Sequence, residues 1–197
     1  MAEQIELPPG YSISWAGKYQ YLLRALERLQ YIVPLTLVLI FILLYLNFRN
    51  MFEAMLVMGA LPLALVGGAW LIYLLGYNLS VAVGVGFIAL AGVAAEFGVI
   101  MLLYLNQAIE QHQPTTRAAL RRAVVDGAVQ RVRPKAMTVA VIVAGLLPIM
   151  LGSGTGSEVM RRIAAPMVGG MLTAPLVSML LIPVSFYLWK ARTVQEV

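Results

Sequence analysis

Five stretches of this 197-residue chain are apolar enough, and long enough, to cross a bilayer. A membrane-spanning helix needs about 20 mostly apolar residues, because in hydrocarbon each backbone amide must find its partner within its own helix. The runs lie at about 31–48, 54–75, 79–105, 135–151 and 163–189. They occupy over half the chain, and no water-soluble core could hold them. Charged residues are 12% of the total, against about a quarter in soluble domains. The mean hydropathy is +0.85. Disorder, a basic nucleic-acid-binding domain and an ordinary soluble enzyme are thereby excluded. The expected fold class is all-α, a polytopic integral membrane bundle of five transmembrane helices.

The connections set the topology. Residues 106–134 are long and polar, and carry Arg117, Arg121, Arg122, Arg131 and Arg133 against Glu110 and Asp126. Arg49, Lys190 and Arg192 fall on the same side of a five-span chain, while Arg161 and Arg162 fall on the other. The excess of positive charge places the first side in the cytoplasm and the N-terminus outside. Within the loop, Leu120, Val124, Ala128 and Val132 recur every four residues with arginines on other faces. Residues 115–132 are therefore expected to form an amphipathic helix in the headgroup layer, with a short soluble helix as the alternative. Residues 1–28 form a lead-in: LPPGY at 7–11 is turn-like, and 11–15 alternates as a strand does, like the tail of an extracytoplasmic domain. The transmembrane domain covers 29–190, and 191–197 is a cytoplasmic tail.

Prolines and small residues inside the spans suit bent, closely packed helices. Chemistry is scarcer. There is no cysteine, and the lone histidine, His112, sits in a polar stretch. No phosphate-binding loop or zinc-protease motif is present. Glu96 is the most informative side chain. It lies about 13 Å from the cytoplasmic end of the third span. A carboxylate at that depth costs several kcal/mol unless protonated or paired. Ala89 and Gly92 share its face, which another helix can approach. Proton transfer is one reading, and a structural interhelical hydrogen bond the other. Lys135 opens the fourth span, where a lysine can snorkel to the headgroups or turn inward to a carboxylate. Most of the 11 methionines are packing residues. Met160 follows the glycine-rich turn GSGTGS near the outer mouth of the fifth span. A thioether there is suited to a soft ion such as Cu(I).

The segments GVAAEFGVIMLLYLN (92–106), GAVQRVRPKAMTVAVIVAGLLPIMLGSGTGSEVM (127–160) and RIAAPMVGGMLTAPLVSMLLIP (162–183) carry a likeness. They closely resemble the C-terminal membrane half of resistance–nodulation–division (RND) efflux pumps, in the heavy-metal branch. The glutamate of AAEFG and the lysine of RPKAMT resemble the subgroup exporting copper and silver. The resemblance implies that the five spans are half of an RND-type membrane domain. It implies that Glu96 and Lys135 belong to a proton relay whose aspartate lies in the N-terminal half. It also implies that Met160 is part of a thioether path for Cu(I) or Ag(I). The implied partners are the N-terminal half of the same pump, two further copies in a trimer, a periplasmic adaptor, an outer-membrane channel and the lipid of a bacterial inner membrane. Neither a cofactor nor nucleic acid is implied. On this view the chain is a truncated fragment of a secondary active transporter, a proton/metal antiporter rather than an enzyme. Two rivals are an RND pump for divalent metals or organic drugs, and a non-transporting membrane scaffold or remnant.

Overall fold

The computed structural model describes residues 18–193. The strand-like segment at 11–15 lies outside them. The described residues form five helices: α1 (Lys18–Phe48), α2 (Met51–Leu74), α3 (Val81–His112), α4 (Arg117–Leu151) and α5 (Ser157–Thr193). Each contains a stretch long and apolar enough to cross a membrane. No strand occurs among the described residues. An all-α membrane bundle is thus the architecture that such apolar helices build.

The chain divides within α1 into two compact units, residues 1–39 and 40–197. The described part of the first is helix. Tyr31, Leu35, Val38 and Leu39 are exposed there, as side chains facing lipid would be. Within the second unit α5 packs against α2, α3 and α4. Its core has three layers. At one end Leu44, Val57, Met101, Leu105, Leu120 and Phe186 meet. Leu61, Leu90, Phe97 and Met171 fill the middle. Ile72, Val83 and Ala165 close the other end.

Between lipid-soluble helices the hydrophobic effect supplies little attraction, so close packing has to. One close approach is where α2 crosses α5. Gly67 lies against Gly169, and a Cβ added at Gly169 would stand 2.6 Å from the Leu71 Cβ. The Thr173 hydroxyl uses that proximity: it donates to the Ala64 carbonyl at 2.7 Å and accepts from the Gly67 N–H at 3.2 Å. Gly169→Ala is therefore expected to destabilise the bundle by about 1–3 kcal/mol, the usual cost of overpacking. Thermal unfolding in detergent measures it. Gly92→Ala is the control, because nothing lies within 4 Å of a Cβ there. Equal melting temperatures for the two variants would refute the close crossing.

One stretch differs from the sequence expectation. Instead of a long loop and a separate helix over 106–134, α3 continues to His112 and α4 begins at Arg117. Gln113 caps α3 in the left-handed conformation, with φ 41°, and a proline follows. The Thr116 side chain caps α4, accepting from the Ala119 N–H at 3.2 Å. Helix α4 then runs through Pro134 into the span. A proline removes one helical hydrogen bond, and packing here offsets that loss. Leu120, Ala123, Val124 and Gly127 are buried. A Cβ at Gly127 would lie 3.0 Å from both the Ala108 Cβ and the Tyr104 carbonyl oxygen of α3. One turn on, the Arg131 guanidinium stands 4.4 Å from the Tyr104 ring centre. Val132, expected on that stripe, is exposed with Val125 and Val129 on the opposite side.

Candidate functional site

The stripe that seats α4 on α3 also decides where Lys135 points. Leu120, Val124, Gly127 and Arg131 follow one face at steps of three and four, and Lys135 is its next member. Its side chain consequently turns inward and is only 2% exposed. The ammonium donates to the Ser178 hydroxyl of α5 at 2.8 Å. Ser178, equally buried, donates its own proton to the Pro175 carbonyl at 2.9 Å. The Phe97 ring of α3 supplies a third wall, its centre 5.7 Å from the Lys135 Nζ. Three helices thus enclose one cation. A desolvated ammonium is costly, and a hydroxyl lone pair with an aromatic face offsets part of that cost.

Glu96 is one residue from Phe97, about 100° round the helix, and faces the other way. It is exposed, as is Gly92 one turn before it, and the space beside Gly92 is open. The face shared by Glu96 and Gly92 is therefore uncovered among the described residues. No ion pair joins Glu96 to Lys135 among the described residues. Lys135 and the helix bearing Glu96 are brought together, but the two charged groups are not.

Met160 stands at the other end of the bundle, 58% exposed in the first turns of α5. It borders a shallow depression with Ile149 and the turn at 152–157. Gly154 and Gly156 have φ of 141° and 88°, conformations open to glycine and strained for other residues. Arg161 ties the turn to α5 by donating to the Gly152 carbonyl. Met160 is 18 residues from Ser178 along α5, about 27 Å of helix. It is not part of the Lys135 cluster.

Sequence reasoning missed Ser178 and Phe97, because nothing in the local pattern of α3 or α5 marks a partner for a lysine 43 positions away. It also left Glu53 outside the second span. Glu53 is 4% exposed, and its carboxylate accepts from the Asn106 amide of α3 at 2.7 Å. Asn50, the N-cap of α2, lies three residues before it. That N-x-x-E spacing is a capping signature and could have been read.

Comparison with known proteins places this arrangement. A sequence profile of the AcrB/AcrD/AcrF family matches residues 1–190. The chain is 56% identical to cation efflux system protein CusA of Escherichia coli K12, over 98% of this chain and 19% of that protein. It is 37% identical to cobalt-zinc-cadmium resistance protein CzcA of Cupriavidus metallidurans, over 94% of this chain and 17% of the other. A crystal structure of a heavy metal efflux pump superposes with a TM-score of 0.76 at 37% identity, covering 95% of this chain and 18% of that one. The chain thus spans about a fifth of the length of these relatives. On the strength of the profile match and the shared helical architecture, the chain belongs to the AcrB/AcrD/AcrF family of RND efflux transporters.

Proposed function

We propose that this chain is membrane machinery of a proton-driven exporter of Cu(I) or Ag(I), acting together with an N-terminal half. The observation that carries the reading is the burial of Lys135 at 2% exposure among three spanning helices. A lysine needed only to anchor a span end would reach for water; this one stays inside. Its neighbour on α3, Glu96, lies on a face left open for another helix bundle. When Glu96 is ionised, its charge calls for a cation, and Lys135, packed against the adjacent Phe97, is the candidate. When Glu96 takes a proton, that attraction vanishes. Alternation between these states gives the helices two arrangements to switch between, with an aspartate from the N-terminal half completing the relay. Protons enter the cell as metal leaves it. At the outer end, the Met160 thioether offers a soft ligand to a monovalent ion. The N-terminus lies in the periplasm and the C-terminus in the cytoplasm of a bacterial inner membrane. The working assembly is a trimer with a periplasmic adaptor and an outer-membrane channel.

The test is a chimeric pump in which this chain replaces the matching stretch of CusA, expressed in a strain lacking its own exporters of monovalent metals. Growth on Ag(I) should be restored by the parent chimera and lost with Lys135→Met. Growth of the Lys135→Met chimera equal to that of the parent, at equal protein levels, would remove the relay reading. Met160→Ile should lower Ag(I) and Cu(I) resistance while sparing resistance to organic compounds. Equal loss of both would favour a pump for organic substrates.

A further inference from the structure

Ser178 is a small polar residue in an apolar helix, buried to 2% exposure, and it touches the most deeply buried cation among the described residues. A serine inside a spanning helix commonly donates its proton back to its own backbone. Ser178 does so, to the Pro175 carbonyl at 2.9 Å. That bond uses the hydroxyl's one proton. What remains toward Lys135 is a lone pair, which can accept from an ammonium and cannot donate to a carboxylate. The fixed hydroxyl is therefore a cation acceptor by construction.

The lysine keeps two further N–H donors. One side of the cluster is closed by the Phe97 ring, and Glu96 is the preceding residue of the same helix, on its exposed face. We propose that Ser178 is a positioning residue, which docks the Lys135 ammonium on α5 in the state where Glu96 does not hold it. The inference rests on the relay role given to Lys135 above, and adds the place where the lysine waits. Without the hydroxyl, the ammonium keeps a ring face but loses its oxygen acceptor among the described residues, so it would leave the pocket for water or for Glu96. The docked and engaged arrangements would then no longer be distinct.

The chain has three lysines, Lys18, Lys135 and Lys190, so 15Nζ signals of the full chain in lipid nanodiscs can be assigned by substitution. Ser178→Ala should speed exchange of the Lys135 ammonium protons with water by about tenfold or more, the factor expected for one lost hydrogen bond to a charged group. Ser178→Thr, which keeps the oxygen, should restore slow exchange. The Lys190 signal should not move in either. Unchanged exchange in Ser178→Ala, or failure of threonine to rescue it, would overturn the proposal. In the chimeric pump, Ser178→Ala should lower Ag(I) export and Ser178→Thr recover it. If Ser178→Ala exports like the parent while Lys135→Met is dead, the docking role alone is wrong. If Lys135→Met itself exports normally, the relay reading beneath it is wrong.

Discussion

Glu96→Gln in the chimeric pump is expected to reduce Ag(I) resistance to that of cells without a pump. Glutamine keeps the volume and the carbonyl acceptor of the side chain but cannot take up or release a proton. Packing and a neutral hydrogen bond would therefore survive the change, and only the titration would be lost. This separates the two readings that the sequence left open. The position makes the contrast sharp, since a carboxylate in hydrocarbon is costly unless protonated or matched by a cation. Glu96 is exposed on a face where Gly92 leaves open space, so the substitution disturbs no contact within the described bundle. A stability effect should be small, and melting of the isolated chain in detergent should be unchanged. Glu96→Asp, which keeps a titrating group about one methylene back, should retain partial export. Full resistance in Glu96→Gln, with the protein at parental abundance, would leave the structural hydrogen bond as its role.

The spans were legible because lipid imposes a simple requirement, and a run of apolar residues states it locally. Helix ends were less legible. The stretch 106–116 is polar, and polarity suggests a loop, but α3 runs on to His112 because α4 lies against it. Pro134 looked like a boundary, and the stripe from Leu120 to Lys135 overrides it by continuing on one face. Whether Lys135 snorkels or turns inward depends on where that stripe points, which is decided by a neighbouring helix. Glu96 was found because a lone acid in an apolar run is locally anomalous. Ser178 was not, because a serine costs little in such a helix and its meaning comes from a lysine on another one. The sequence offered residue types; only the packing of α3, α4 and α5 supplied their partners.

Glu53→Ala is expected to be the most damaging substitution for stability, with little effect on the chemistry at Lys135. Glu53 enters the fold through two roles at once. At the start of α2, Asn50 accepts from the Phe52 N–H at 3.0 Å, and its amide reaches the Glu53 carboxylate at 3.4 Å. Across the bundle, the other carboxylate oxygen accepts from Asn106 at 2.7 Å. The same end carries a stacked pair, Phe52 on Trp189, with ring centres 4.8 Å apart, and Lys190 lies 4.9 Å over the Trp189 ring. Alanine removes the acceptor and leaves the Asn106 amide half-buried without it. A hydrogen bond to a charged group contributes about 1.5–3 kcal/mol, so a loss of about 2–3 kcal/mol is expected, with Glu53→Gln losing less. Thermal unfolding in detergent gives the ranking. Asn106 is nine residues from Phe97 along α3, about 13 Å of helix, so the Lys135 ammonium should exchange in Glu53→Gln as in the parent. Two buried polar clusters on one bundle would then have separate duties, one fastening helix ends and the other moving charge. Faster Lys135 exchange in Glu53→Gln, with an unchanged melting temperature, would reverse that assignment and make Glu53 part of the proton path.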